Sequence, residues 1–262
     1  MGKIKFLKYQ GCGNDFIVID NRHRSANGLR QEQVRNLCDR KFGIGADGLM
    51  LLQKHPELDF EMIYYNSDGR LGSMCGNGGR CMVAFAKHIE LITDSTTFMG
   101  SDGVHEASIQ GNWVSLKMND VSTIEQVGND FRLNTGSPHY VKQVVDLANL
   151  DVPTEGSAIR NNAEHRVEGI NVNFVSPEEE EGYFVRTFER GVEDETLACG
   201  TGVTAVALAM ASKNGQAGVF NTPIRVPGGK LNVRFHYDGN IFTQIYLEGP
   251  ATLVFEGAIE IS

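Results

Sequence analysis

Apolar positions in the first half of the chain fall into short solid runs and one helical stripe. Phe16–Asp20 (FIVID), after the turn residues GCGND, predicts a short buried strand. Over Gln31–Lys41, Val34, Leu37, Cys38 and Lys41 recur at helical spacing, and Gly43-Ile44-Gly45 stops the helix. Gly48–Leu52 and Phe60–Tyr65 predict strands, the second ending in the turn Asn66-Ser67-Asp68-Gly69. Cys81–Glu90 (beginning CMVAFA) is apolar on nearly every side and predicts a helix buried all round. Thr97–Met118 reads as consecutive strands broken at Asp102-Gly103 and Gln110-Gly111-Asn112.

The second half repeats this grammar. Gly169–Val175 (GINVNFV) and Tyr183–Phe188 predict strands, and Val203–Ala211 predicts a second all-apolar helix, ended by Lys213-Asn214-Gly215. Ile224–Glu248 predicts strands broken at Pro227-Gly228-Gly229 and Asp238-Gly239-Asn240. A short phrase is also written twice: MCGNGGRC at 74–81 and ACGTGVTA at 198–205, with Cys75 and Cys199 124 positions apart. The turns that follow are offset by 126 to 128 positions, so the landmarks keep nearly one spacing. That regularity argues for an internal duplication and two similar domains. The expected architecture is α+β: two pseudo-symmetric domains, each an antiparallel β-sheet or barrel wrapped around a central apolar helix. The expected boundaries are 1–122 and 123–249, with a linker near Asp120–Gly128. The final strand, Ala251–Ile259, has no counterpart in the second repeat, so 250–262 is expected to return to the first domain.

Composition narrows the function. A net charge of −9 gives no basic footprint for nucleic acid or an anionic membrane surface. The acidic run Glu178–Glu181 reads as a solvated turn after Pro177. The opening MGKIKFLKYQ lacks the apolar core of a signal peptide, and the longest apolar stretch, Ala205–Ala211, is far below the ~20 residues that span a bilayer. Five irregularly spaced cysteines do not make a disulfide framework. Free thiols in a reducing cytoplasm are the expectation.

The paired phrases carry the candidate chemistry. A cysteine in the first turn of a helix feels unpaired backbone N–H groups and the positive end of the macrodipole, which lower a thiol pKa. An ordinary thiol is only about 3% ionised at pH 7, and a depression of two units, worth ~2.7 kcal/mol, would make it mostly thiolate. The neighbouring glycines leave the N–H groups open to an anion such as a carboxylate. Two such helix ends facing one small substrate could invert a stereocentre. One thiolate would remove a proton from the carbon beside the carboxylate, and the opposite thiol would return one to the other face.

Other chemistries fit less well. Cys75 and Cys81 have C-x5-C spacing and no companion Cys/His pair, which argues against structural zinc. Two nearby thiols could form a redox-active disulfide, although C-x-x-C is absent. Cys38 and Cys81 read as inert buried thiols, and Cys12, in a glycine turn without a repeat partner, reads as structural. CGNGG lacks the Gly-Lys-Ser/Thr of a phosphate loop.

At these residues the sequence resembles the diaminopimelate epimerase family across essentially the whole chain. The resemblance runs through GCGNDF (11–16), FGIGADG (42–48), YYNSDG (64–69), MCGNGGRC (74–81), TGSPH (135–139), GINVNFV (169–175), FERG (188–191) and ETLACGTG (195–202). It implies conversion of LL-diaminopimelate to the meso form, serving lysine and peptidoglycan precursor synthesis, with no pyridoxal phosphate, other cofactor or metal. It also implies a homodimer. Carried over, Cys75 and Cys199 are the acid/base pair, and Gly76, Asn77, Gly200 and Thr201 hold the reacting carboxylate. Asn14, Asn66, Asn171, Glu189 and Arg190 hold the remaining ammonium and carboxylate groups, while His139 and Glu189 tune the cysteines. Three departures stand out. Ser137 replaces an asparagine before Pro138-His139, one extra residue lies between Glu189 and Cys199, and Gly48 stands where some members carry a side-chain amide. A proline or hydroxyproline racemase and a non-catalytic amino-acid-binding protein are the rival readings. Phenazine-type isomerases, which share the fold class, lack the two cysteines.

Overall fold

The computed structural model describes residues 3–24, 26–178 and 182–260. Positions 179–181 of the acidic run therefore lie outside the described residues. The chain divides into two compact units: one contains everything up to Leu116 together with the segment from Gly249 on, the other Lys117–Glu248.

The first unit opens with β1 (Lys3–Gly11) and β2 (Asn14–Asp20), an antiparallel hairpin whose turn puts Cys12 and Gly13 at positive φ. Helix α1 (Gln31–Cys38) follows and buries Val34, Leu37 and Cys38. It ends three residues before Lys41, earlier than the periodicity predicts. Asp39 Oδ1 accepts the N–H groups of Lys41 (2.7 Å) and Phe42 (2.8 Å), a side-chain turn that competes with the next helical turn. Next come β3 (Gly48–Gln53), β4 (Phe60–Asn66), helix α2 (Gly76–His88), β5 (Ser95–Gly100), β6 (Gly103–Gln110) and β7 (Trp113–Lys117).

The second unit follows the same plan. It contains β8 (Ile124–Val127), β9 (Asp130–Asn134), β10 (Pro138–Gln143), α3 (Val152–Arg160), β11 (Asn171–Pro177) and β12 (Tyr183–Glu189). A short β13 (Asp194–Thr196) precedes α4 (Gly200–Asn214), β14 (Gly218–Val226), β15 (Gly229–Tyr237) and β16 (Phe242–Pro250). The last strand, β17 (Thr252–Glu260), runs antiparallel to β1, with Lys3 opposite Glu260 and Gln10 opposite Thr252.

Pairing in the first unit runs β17-β1-β2-β3-β4-β5-β6-β7, and in the second β8-β9-β10-β11-β12-β14-β15-β16. Most pairs are antiparallel, but each unit has two parallel pairs: β2/β3 and β4/β5 in the first, β10/β11 and β12/β14 in the second. Parallel strands need a crossover, and in every case a helix supplies it: α1, α2, α3 and α4 in turn. The mixed sheet follows from strand–helix–strand order, which alternation within a strand cannot reveal.

Both central helices are covered on all sides, α2 by β1, β2, β3, β6 and β17, and α4 by β9, β10, β11, β12 and β15. Helix α4 buries Val203 through Ala211 without a break, and each large aliphatic side chain there contributes about 1.5–3 kcal/mol. Its C-terminus is closed by Gly215 at φ 67°, whose N–H reaches the carbonyls of Ala211 and Ser212. Both helices start earlier than the apolar runs suggest, at Gly76 and Gly200, because the first turn is written in small residues. That extra turn makes Cys75 and Cys199 the N-cap residues.

Candidate active site

In the first unit, β4 leads through a turn to Cys75, which has extended backbone (φ −111°, ψ 120°) and caps α2. Its sulfur accepts the N–H of Gly78 at 3.5 Å, the capping contact that serves an otherwise unpaired donor of the first turn. A side chain at Gly78 would place its Cβ 3.1 Å from Met50 Sδ and 3.4 Å from Cys75 Cβ. The sulfur also lies 3.7 Å from Asn14 Oδ1, which accepts Asn77 Nδ2 at 3.2 Å. Asn14 Nδ2 donates to Asp47 Oδ2 at 2.7 Å, and Arg80 Nη2 donates to Asn77 Oδ1 at 2.9 Å. Each amide is thereby oriented from behind, and Asn14, Cys75 and Asn77 form one bonded group. Gly76 opens the helix beside them. Among the described residues Asn66 shares no hydrogen bond with that group. It is exposed at the end of β4, where its backbone closes the turn with Gly69 and Arg70.

Cys199 holds the same place in the second unit, with φ −118° and ψ 110°, but makes no side-chain cap bond. Its sulfur instead lies 3.6 Å from Thr201 Oγ1. Thr201 Oγ1 is 2.9 Å from His139 Nε2, and Asn173 Nδ2 is 3.0 Å from His139 Nδ1. The Asn173 amide has one workable orientation, because the same Nδ2 donates to Tyr140 O (3.1 Å) while Oδ1 accepts Thr187 Oγ1 (3.0 Å). His139 Nδ1 is therefore an acceptor and Nε2–H the donor, which leaves the Thr201 hydroxyl hydrogen free to point at sulfur. His139 is fully buried; burial first, and the charge of Arg190 second, lower its pKa to about 3, so it works as a neutral ring.

The remaining residues group around the end of β12. Asn171 Nδ2 donates to Ser137 Oγ (2.6 Å) and Pro138 O (3.2 Å), and its Oδ1 accepts the backbone N–H of Arg190 at 2.9 Å. Glu189 Oε2 accepts Thr196 Oγ1 at 3.0 Å, while the exposed Arg190 rests one guanidinium N–H on Glu168 O. Ser137, the Glu189–Cys199 connection and Gly48 each have a definite physical setting. The Ser137 hydroxyl takes the amide of Asn171. The Glu189–Cys199 connection turns through Gly191 (φ 92°) and Glu193 (φ 60°). At Gly48 a Cβ would fall 2.4 Å from the Tyr64 ring and 2.6 Å from Tyr65 O, so no side chain fits there.

Three residues escaped the sequence reading. Asn173 lies two positions from Asn171 on one face of a buried strand, and a polar residue inside GINVNFV was the available signal. Arg80 is the one cation in the buried part of α2, and Asp47 lies inside the motif FGIGADG (42–48). Among the other thiols, burial pushes Cys12 and Cys81 up and Cys38 up to about 12, so these three stay neutral. Among the described residues no group of three or more His, Cys, Asp or Glu side chains is arranged to hold a metal, and no helix is long and apolar enough to cross a membrane.

Comparison with known proteins gives a consistent answer. The family model for diaminopimelate epimerase matches residues 6–124 and 131–254. The chain is 50% identical over 257 residues to the diaminopimelate epimerase of Flavobacterium psychrophilum, covering 98% of this chain and 100% of that one. It is 45% identical over 260 residues to the diaminopimelate epimerase of Chlorobaculum tepidum, covering 96% and 99%. Among solved structures, a Bacillus anthracis phenazine biosynthesis protein of the PhzF family superposes with a TM-score of 0.79 at 14% identity, covering 100% of both chains. A hydroxyproline epimerase from Agrobacterium vitis gives 0.73 at 13% identity, covering 98% of this chain and 91% of that one. At such identities these two structures speak to the fold alone.

Proposed function

The chain belongs to the diaminopimelate epimerase family, and from that premise we propose how its residues carry out the reaction. The activity is that of an isomerase interconverting LL- and meso-diaminopimelate. The reading of the site rests on one observation: each unit places a cysteine at the N-cap of a buried helix whose first turn is Gly-Asn or Gly-Thr. Cys75 and Cys199 are the two acid/base groups. One thiolate takes the α-proton, and the other thiol delivers its own proton to the opposite face, so the stereocentre inverts.

The N–H groups around Gly76, Asn77, Gly200 and Thr201 hold the carboxylate beside the reacting carbon. They stabilise the charge that spreads onto it as the carbanion forms, an effect typically worth several kcal/mol. Asn14, Asn66, Asn171, Glu189 and Arg190 take the other ammonium and carboxylate groups; the arginine fork suits the distal carboxylate and Glu189 an ammonium. His139 acts on Cys199 through the Thr201 hydroxyl: a hydroxyl hydrogen aimed at sulfur favours its ionised form. Glu189 tunes the same cysteine from the end of β12. No cofactor or metal takes part in this scheme. No disulfide joins any of the five cysteines, which suits the reducing cytoplasm. Homodimerisation completes the reading, with the partly exposed Val254 and Phe255 of β17 as apolar surface for a second copy.

Purified protein incubated with LL-diaminopimelate should accumulate the meso isomer, while L-proline stays unconverted. Cys75→Ala and Cys199→Ala should each abolish net epimerisation. Full turnover by either variant would overturn the two-thiol assignment, and turnover of proline in place of diaminopimelate would overturn the substrate.

A further inference from the structure

Helices α2 and α4 share their sequence grammar but differ in charge near the cap. Arg80, four residues into α2 from Gly76, has no solvent exposure at all. Its counterpart 124 positions on is Thr204, a neutral residue whose hydroxyl donates to Gly200 O at 3.0 Å. Arg80 Nη2 donates to Asn77 Oδ1, while Nε and Nη1 are buried without a hydrogen-bond partner. Among the described residues no carboxylate pairs with this guanidinium. A buried, uncompensated cation is costly, and arginine does not escape by losing its proton, because its pKa starts so high.

After burial itself, three thiols act on Arg80: Cys12 from the β1–β2 turn most strongly, then Cys81 from its own helix, then Cys75. Tyr9 on β1 and Asp15 on β2 act on Cys81, but Asp15 is already held by Lys8 (2.8 Å) and Arg40 (2.7 Å). Strand β3 carries no titratable side chain, and on β6 His105 is bonded to Asp102. Glu106 on β6 and Glu256 and Glu260 on β17 are exposed. Burial keeps Cys12 and Cys81 protonated. Cys75 differs: it is half-buried, sits at the positive end of α2 and already accepts the Gly78 N–H. The opposing contact, a 3.7 Å S–H···O to Asn14, is a long neutral bond and weak beside a full buried charge.

We propose that Arg80 is a positioning residue and the buried counter-ion of a resting Cys75 thiolate. The two otherwise repeated sites then begin unequal, with Cys75 deprotonated and Cys199 protonated in the free protein. Through Asn77, Arg80 also fixes the Asn14 amide that faces the Cys75 sulfur. This inference rests on the reading of Cys75 as an acid/base group, yet its test needs no turnover.

Iodoacetamide alkylation is followed peptide by peptide against pH, with Cys75 measured in Cys199→Ala and Cys199 in Cys75→Ala so that the two titrations do not couple. The midpoint reports ionisation independently of how exposed each sulfur is. Cys75 should titrate at least one unit below Cys199, about a tenfold difference in ionisation constant. Adding Arg80→Met should raise the Cys75 midpoint by one unit or more. Arg80→Lys should recover at least half of that shift, and neither should move Cys199. A folded Arg80→Met with an unmoved Cys75 midpoint overturns the proposal. If Arg80→Met does not fold, the order of the two midpoints with Arg80 in place still decides, and Cys199 titrating at or below Cys75 refutes it. Retained epimerisation in Cys75→Ala would instead sink the catalytic reading while leaving the Arg80 result interpretable.

Discussion

Replacing Gly202 by alanine probes how tightly the network behind Cys199 is built. A Cβ there would fall 2.3 Å from Asn173 Oδ1 and 3.2 Å from both Cys199 Cβ and Sγ. A side-chain oxygen can often swing aside, but the Asn173 amide is bonded to His139, Tyr140 and Thr187 and has no exposure. Displacing it sacrifices up to three hydrogen bonds at about 1 kcal/mol each. Alanine returns up to ~1 kcal/mol of helix propensity, so the net loss should be about 2 kcal/mol. The matching Gly78→Ala in α2 is an internal control. Its Cβ meets the flexible thioether of Met50 at 3.1 Å, so propensity should nearly offset crowding. Urea unfolding of both variants measures the contrast directly: Gly78→Ala close to the parent, Gly202→Ala lower by about 2 kcal/mol. A Gly202→Ala variant as stable as Gly78→Ala would refute the claim that Asn173 is locked in place.

The neutral His139 makes stability depend on pH. The unfolded chain protonates this ring as pH falls through ~6.5, whereas the folded chain does so only near 3, so the unfolded state binds more protons between those values and stability drops with falling pH. The parent should lose about 2 kcal/mol between pH 7.5 and 5 from this residue, at ~1.4 kcal/mol per unit below 6.5, and His139→Gln should lack that share. Identical pH dependence of urea unfolding in the two proteins would contradict it. Asp15, held down to about 2 by Arg40 and Lys8 against burial, loses its contribution only below about 3.8, outside this window. Asn14→Asp places a carboxylate against Asp47, where the amide now donates at 2.7 Å, and sets it beside the Cys75 sulfur. It should lower kcat/KM by about tenfold more than Asn14→Ala, since ~1.4 kcal/mol of like-charge repulsion is tenfold in rate; equal values in the two variants would reject that electrostatic account.

What could be read from the sequence was set by contrast. The two buried helices and their cysteines stood out because no charged stripe interrupts CMVAFA or VTAVALAMA. Helix α3 did not stand out. Its sequence VPTEGSAIR carries a proline and a glycine, and packing forms it: a Cβ at Gly156 would lie 2.3 Å from Phe188 Cβ, so only glycine lets the helix close on β12. Strand β1 hid behind its lysines, one of which, Lys8, is buried against Asp15. The cysteines, Asn14, Asn77, His139 and Thr201 were legible through motifs. Asn173, Arg80 and Asp47 act from behind those residues, and neither periodicity nor motif distinguishes a supporting polar group from a turn residue.

The central claim is that two different sulfur atoms handle the proton, and early turnover in deuterium oxide tests it most directly. With LL-diaminopimelate at low conversion, the meso product should carry deuterium at its inverted carbon, because the incoming hydron comes from a solvent-exchanged thiol. The unreacted LL pool should stay unlabelled. Product that keeps the original hydrogen would mean one base removes and returns the same proton, and the two-cysteine account would fall.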